Sequence, residues 1–427
     1  MIKRPFFTLT TPEFKYAHVE DSVKEPESIP VPDNLILLLN ETFNSEKQAL
    51  IKKGDPVKKG EKLCLYKKSS EYTTSPVSGL IHDIDIYLDG LGNKSTYIII
   101  KKDKNKTEDA AECDLKDDIA YADKYLRTLP GAPPLKSLAN DKINTLVITC
   151  TENDLLETTN QYVALKFSDE IKKGAQILKK MTNVSRICIA VPENSKIKTM
   201  FDTMQVFETS LKYPSNLPSF VLKNHFHTIL LSGQTPEDAG FSFISAEAVA
   251  SLNKACKTKT ICFKKHITII GKQGRKQRVT ATIGTSIGKI FKALNIEINN
   301  EDRVIIGGPM QGIATYTLNH PVQPDMNTIM IQDKNIIPPV SDHACINCGK
   351  CIQICPANIP VNILVRYLEA DQYEEAADKY DLEYCIECGL CAYVCTAGIP
   401  IYQFIKLGKH ELSILKASGI ELETANE

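Results

Sequence analysis

Two cysteine runs toward the C-terminal end carry the clearest chemistry in the chain. Cys345-Ile-Asn-Cys348-Gly-Lys-Cys351-Ile-Gln-Ile-Cys355-Pro356 follows the pattern C-x-x-C-x-x-C-x-x-x-C-P. Cys385-Ile-Glu-Cys388-Gly-Leu-Cys391-Ala-Tyr-Val-Cys395 repeats it, with Thr396 where the proline would stand. A [4Fe–4S] cube offers four iron corners, and each needs one thiolate. Three closely spaced thiolates wrap one face of a cube on a tight loop, and in paired runs of this type the fourth thiolate comes from the other run. The spacing therefore predicts one cluster on Cys345, Cys348, Cys351 and Cys395, and a second on Cys385, Cys388, Cys391 and Cys355. Gly349 and Gly389 follow the second cysteine of each run, where bulk would crowd the sulfides. Pro356 stops the helix that carries Cys355. Gly398 and Pro400 end the matching segment in the second run, so the exchange of proline for Thr396 touches no ligand.

Other uses of cysteine fit less well. Zinc takes C-x-x-C pairs, but it wants four ligands rather than two sets of three plus an exchanged fourth. A disulfide framework suits small secreted chains, and this one has 427 residues. The remaining six cysteines (Cys64, Cys113, Cys150, Cys188, Cys256 and Cys262) are scattered, mostly in apolar runs, and read as inert buried thiols. Cys113 lies in a polar stretch and reads as exposed. The eight histidines show no metal spacing. His225 and His227 alternate as on a strand without a carboxylate or cysteine nearby, and His343, two residues before Cys345, is a candidate for tuning a cluster from outside the ligand set.

Length argues for three or four modules rather than one core. The formal net charge is -1, so no global field recruits nucleic acid. Many free thiols imply a reducing compartment. The opening Met1-Ile-Lys-Arg-Pro-Phe-Phe lacks the apolar stretch of a secretion signal, and no window reaches the length of apolar sequence that a spanning helix needs. No side chain is required for acid–base work.

The modules that must position the cysteines can be read in order. Residues 1–29 are polar and irregular, an N-terminal arm. Residues 30–104 read as short strands between turns. Ile51-Lys-Lys-Gly54-Asp-Pro-Val57-Lys-Lys-Gly60 and Ser75-Pro76-Val77-Ser78-Gly79 are similar to segments of biotinyl and lipoyl modules. No lysine stands at a hairpin tip between them, so a structural barrel-sandwich hybrid fits better than a lipoylated carrier. Residues 105–120 form a charged linker, and the lysines at 101–106 a solvated face that could dock an acidic carrier. Residues 121–263 alternate strand and helix, an α/β Rossmann-like domain with a mostly parallel sheet. Strands are expected at 145–150, 186–191, 205–210 and 228–231, and helices at 168–181, capped by Ser168, and at 196–204. Residues 264–313 read as a compact β-grasp (SLBB-like) unit ending in Gly307-Gly308-Pro309-Met310-Gln311-Gly312, and 314–335 as a connection. Residues 336–411 form an α-helical ferredoxin-type domain for two [4Fe–4S] clusters, with helical sequence at Val361–Glu369 and Tyr373–Tyr380 between the runs. The fold class is thus multidomain α/β and β.

This order of modules resembles the RnfC family, the C subunits of the Rnf ion-translocating electron transport complex, a membrane-bound ferredoxin:NAD oxidoreductase. The resemblance runs from about residue 30 to residue 411. Its most specific pieces are the 307–312 turn, the two cysteine runs, and Ile399-Pro400 with Gln403-Phe-Ile-Lys-Leu407. It implies a peripheral subunit on the cytoplasmic side of the cell membrane, without a transmembrane helix, that passes electrons through two [4Fe–4S] clusters. It implies integral membrane and ferredoxin-like partner subunits, and a soluble carrier (ferredoxin, flavodoxin or NADH). The complex would act as a translocase coupling redox chemistry to ion movement. Typical members also carry flavin mononucleotide (FMN).

At the flavin and NADH positions this chain departs from the family. A glycine-rich loop is replaced by Leu129-Pro130-Gly131-Ala132-Pro133-Pro134-Leu135-Lys136, whose prolines remove N–H donors. After the next strand, Thr149-Cys-Thr-Glu152-Asn-Asp154 keeps an acidic pair but loses its family neighbours. These departures argue against FMN and NADH binding in the usual way. They leave Gly131, Lys136, Glu152 and Asp154 as the candidate positions, with a solvated turn as the other reading of the two acids. Two further functions are consistent with the same cysteines: a soluble iron–sulfur adaptor feeding a reductase, and a non-redox scaffold stapled by its clusters.

Overall fold

Leu35, Leu37 and Leu39 are buried on one strand, and Leu35 and Leu37 pack in a small core with Val57, Leu63, Ile81, Ile98 and Ile100. Burying a side chain of this size contributes roughly 1.5–3 kcal/mol, and here it closes a flattened barrel. In the computed structural model, which describes residues 12–19, 24–44, 48–103, 118–337, 340, 341 and 343–424, this barrel is an antiparallel sheet of Asn34–Leu39, Lys94–Lys102, Gly79–Leu88 and Pro56–Val57. A short pair, Lys62–Leu63 with Thr73–Thr74, completes it. A Cβ on Gly79 would lie 2.1 Å from the Lys101 carbonyl oxygen, so this strand crossing requires glycine. The expected linker falls largely on residues outside those described, as does Cys113.

The α/β layer is a four-stranded parallel sheet in the order Gln205–Thr209, Arg186–Pro192, Thr145–Thr149, Phe241–Ser245. Ile171, Ala175, Leu178 and Met181 lie on the buried face of helix Ser168–Met181, as their spacing predicts. Ser168 does not cap it: the helix follows Thr159–Lys166 almost directly, Phe167 holds the cap position, and no side chain closes it. The helix expected at 196–204 is the short turn Ile197–Met200. No strand forms at 228–231; strand Phe241–Ser245 fills that place in the sheet. His225 belongs to helix Pro218–Phe226 and His227 is its left-handed C-cap, so they share no strand face.

The next sheet is wider than the 264–313 expectation. Its six strands run in the order Glu27–Ser28, Lys276–Thr282, Lys264–Ile270, Thr328–Gln332, Arg303–Ile306, Ile313–Thr315. The segment Thr328–Gln332 pairs with both Lys264–Ile270 and Arg303–Ile306, so part of the expected connection is a central strand. Its apolar side chains Ile329 and Ile331 join Ile287, Ile290 and Phe291 of helix Ile287–Ala293 in one core. Part of the N-terminal arm is ordered: Glu27–Ser28 forms the edge strand, and Lys15 bridges to Lys212 of the α/β layer.

The C-terminal domain is helical. Val361, Leu364, Val365 and Leu368 form one buried stripe on helix Val361–Glu369, packed with Ile359, Ile399, Ile401 and Ile405. Helix Ile401–Thr424 carries on past residue 411. Among the described residues no helix is long and apolar enough to cross a membrane.

Candidate metal centre

The two cysteine runs adopt the same local path. In each, the residue before the second cysteine and the glycine after it are left-handed: Asn347 and Gly349 at φ 54° and 71°, Glu387 and Gly389 at φ 55° and 73°. The reversal curls the first two cysteines into a loop. A single short helix, Lys350–Ile354 or Leu390–Val394, then carries the third cysteine, and the fourth stands at its C-cap in extended conformation. The two short helices pack against each other, and this pairing exchanges the fourth cysteines.

As a result the eight cysteines fall into two sets. Cys355, Cys385, Cys388 and Cys391 line one small cavity. Cys345, Cys348, Cys351 and Cys395 line another. Apart from the sulfurs the walls are mainly apolar, including Ile359, Val361, Leu364 and Ile405 in the first, and Val365, Ile399 and Ile401 in the second. Backbone N–H groups point at sulfur, from Asn347 to Cys345, from Glu387 to Cys385 and from Ile359 to Cys355, each at 3.4 Å. Among the described residues no three His, Cys, Asp or Glu side chains converge tightly enough to hold a single metal ion. Each cysteine set surrounds a volume rather than a point, and the donors are soft sulfur. A polynuclear cluster fits such a lining better than one zinc ion. Burial pushes the Cys351 and Cys385 thiols up to about 11 and Cys388 up to about 12. Without a metal these groups would stay protonated at neutral pH; bound iron favours the thiolate.

The sets differ in their surroundings. Cys388 and Cys391 are buried, whereas Cys348 is exposed, beside Ile346 at 65% exposure. Other modules cover the first set. Tyr213 Oη donates to the Cys388 carbonyl at 2.7 Å. Gln311 Nε2 donates to the Glu387 carbonyl at 3.2 Å, and Tyr402 Oη to the Gln311 carbonyl at 3.1 Å. Lys409 Nζ reaches the Cys385 carbonyl at 2.6 Å and Glu387 Oε1 at 2.9 Å. None of these was singled out from sequence as touching a cysteine run, because the partners lie far apart along the chain. Thr396 also lines the second cavity, with Oγ1 3.3 Å from Cys348 Sγ; its place in the motif was the available signal. His343 is exposed and lines neither cavity.

The candidate flavin and NADH positions are not brought together. Gly131 packs against the start of helix Ala246–Thr258, where a Cβ would lie 2.4 Å from Ala248 N. Lys136 is exposed on the short helix Leu135–Leu138. Glu152 is fully buried; Oε1 accepts from Gln161 N–H at 3.0 Å, and Oε2 has no hydrogen-bond partner among the described residues. Burial raises its pKa. Asp154 is 2% exposed and accepts backbone N–H bonds from Leu155 at 2.6 Å, Met310 at 3.1 Å and Gln311 at 2.6 Å. Burial pushes it up to about 6, opposed by those donors. The solvated-turn reading of both acids is therefore replaced by burial, and Asp154 latches the 307–312 turn. Asp154 and Glu157 edge an open cleft that Gly131, Lys136 and Glu152 do not line. Its wall has the carboxylates Asp89, Asp154, Glu157 and Asp325 and, among the described residues, no lysine or arginine.

Residues 12–105 match the RnfC barrel sandwich hybrid domain, and residues 344–399 match a 4Fe-4S dicluster domain. The chain is 25% identical over 396 residues to the C subunit of the proton-translocating ferredoxin:NAD(+) oxidoreductase complex of Clostridium ljungdahlii, covering 86% of this chain and 86% of that protein. This chain is thus similar over most of its length to C subunits of ion-translocating oxidoreductase complexes. The C subunit of the ion-translocating oxidoreductase complex of Buchnera aphidicola from Acyrthosiphon pisum is 24% identical over 380 residues, covering 83% of this chain and 79% of that one. An NAD+-reducing [NiFe]-hydrogenase in its H2-reduced state superposes with a TM-score of 0.43 at 12% identity, over 66% of this chain and 59% of the hydrogenase chain.

Proposed function

We propose that this chain is an electron-transfer component of an Rnf-type ion-translocating oxidoreductase complex. The observation that carries the proposal is the sorting of eight cysteines into two four-cysteine cavities by exchange of the fourth member. Cys345, Cys348, Cys351 and Cys395 would hold one [4Fe–4S] cluster, and Cys355, Cys385, Cys388 and Cys391 the other. When bound, such clusters supply one-electron redox chemistry. The chain's own residues supply thiolates, apolar walls that exclude water, and N–H groups that favour negative charge on sulfur. On this reading the parallel α/β layer is Rossmann-like and the six-stranded unit is of the SLBB type. The partners are membrane-integral subunits of the complex and a soluble electron carrier, and the chain sits peripherally on the cytoplasmic side.

The test is anaerobic purification of the full chain with iron, zinc and flavin counts on one sample, followed by electron paramagnetic resonance. About eight irons per chain and two reducible cubane signals are expected. Zinc in place of iron, or clusters that do not cycle with dithionite and an oxidant, would overturn the assignment. Co-purification with integral membrane subunits tests the place in a complex.

A further inference from the structure

The two cysteine runs fold alike, so the residues that differ between them add to the inequality that the surrounding modules create. The clearest difference follows the fourth cysteine. Pro356 follows Cys355 and lines the cavity of Cys385, Cys388 and Cys391. Thr396 follows Cys395 and lines the cavity of the other set. The preceding cysteines have nearly the same backbone, φ −67° and ψ 115° at Cys355 against φ −62° and ψ 112° at Cys395. Proline and threonine are thus presented in the same way. The proline ring offers only carbon. Thr396 offers a hydroxyl whose oxygen is 3.3 Å from Cys348 Sγ, within the range of a hydrogen bond to sulfur. An iron-bound thiolate carries no proton, so in that state the hydroxyl is the donor.

A hydrogen bond to a cysteine sulfur withdraws electron density from it and stabilises the reduced, more negative state. Hydrogen bonds to sulfur and solvent exposure are two of the levers that set cluster potentials. At Cys348 both act in one direction, since this cysteine is exposed as well as in contact with the hydroxyl. We infer that Thr396 is a positioning residue that donates its hydroxyl to Cys348 Sγ and raises the reduction potential of the site held by Cys345, Cys348, Cys351 and Cys395 above the value that site has without the hydroxyl. The inference rests on the cluster reading above. The reduction adds one electron from the soluble carrier to the site; no bond breaks, and the hydroxyl hydrogen stays on Thr396.

The experiment is a redox titration of the full chain, prepared anaerobically and followed by electron paramagnetic resonance, with iron counted on every sample. Wild type is compared with Thr396→Val, which keeps the shape and removes the donor, and with Thr396→Ser, which keeps the donor. Two midpoints are expected in wild type. Thr396→Val should lower one of them and leave the other in place, and Thr396→Ser should keep the wild-type value. Two unmoved midpoints in an iron-replete Thr396→Val chain would overturn the inference. So would a lowered midpoint in an iron-replete Thr396→Ser chain, which keeps the donor, and this arm stands even where the valine variant fails to hold iron. A wild-type chain without iron defeats the cluster reading itself, and the iron count tells that failure apart.

Discussion

Gly349 and Gly389 occupy the same place in the two cysteine runs, and their substitution by alanine should have unequal costs. Both are left-handed, at φ 71° and 73°, so a Cβ at either position costs roughly 1–2 kcal/mol in backbone strain. For Gly349 the account ends there, because among the described residues nothing lies within 4 Å of the added carbon. At Gly389 the Cβ would lie 2.4 Å from the Met310 carbonyl oxygen, under the 3.0 Å that real Cβ contacts keep. The oxygen must retreat by 0.6 Å (3.0 minus 2.4), yet Met310 N–H is held by Asp154 and Gln311 is tied to Glu387. Forced overpacking of this kind costs about 1–3 kcal/mol. Added to the strain, Gly389→Ala should lose roughly 2–5 kcal/mol against roughly 1–2 kcal/mol for Gly349→Ala. Native-state hydrogen exchange of helix Val361–Glu369 in the iron-replete full chain reads the difference within the C-terminal domain. Equal losses, or a larger loss for Gly349→Ala, would refute the packing argument whatever metal the cysteines hold.

Asp154→Ala should release the 307–312 turn. Protection of the Met310 and Gln311 amides against hydrogen exchange is expected to fall about tenfold or more, since an unsatisfied buried N–H costs about 1–3 kcal/mol. Lys265 is fully buried against Glu247, with further bonds from Nζ to the His266 carbonyl and Asn327 Oδ1 at 2.9 Å each. Lys265→Met should cost about 3–5 kcal/mol in denaturant titration by stranding Glu247, and the double change with Glu247→Met should recover most of it. Burial lowers the His320 pKa to about 4, from an ordinary 6.5. The unfolded chain therefore binds a proton in this window that the folded chain does not, so stability should fall as pH drops from about 6.5 through about 4. His320→Gln should flatten that slope in thermal denaturation measured across the window.

The cysteine grouping was legible because ligand spacing is local: three thiolates on one loop must face one centre, and the fourth has only one other run to come from. Amphipathic stripes such as Val361, Leu364, Val365 and Leu368 were legible for the same reason. What sequence missed is non-local. Thr328–Gln332 reads as a short apolar piece in a connection, and only pairing with two distant strands makes it central. The stretch 228–231 has strand-like residues but is left exposed, with Ile229 at 73%; strand Phe241–Ser245 follows and takes the sheet position beside Thr145–Thr149. Glu152 and Asp154 look like surface acids because burial depends on what folds over them. Thr396 shows the opposite failure. Its place in the motif was plain, but counting ligands ignores groups that touch a ligand's sulfur.

The 307–312 turn explains why the departures in the loop at 129–136 can coexist with two complete four-cysteine sets. In this structure the turn is a joint between three modules. Asp154 of the α/β layer binds its Met310 and Gln311 amides. Close approach forces glycine on both sides, since a Cβ on Gly308 would lie 2.5 Å from Asp154 Cγ and one on Gly389 would meet the Met310 oxygen. The Gln311 side chain and carbonyl then engage Glu387 and Tyr402 beside Cys388. These are packing constraints that hold with or without a ligand in the cleft next door. The two candidate positions in the glycine-poor loop at 129–136 face elsewhere: Gly131 N–H donates to the Pro324 carbonyl at 2.7 Å, and Lys136 faces solvent. Substitutions there leave the surroundings of Cys385, Cys388 and Cys391 as they are. Asp154, by contrast, cannot change without loosening the wall behind them.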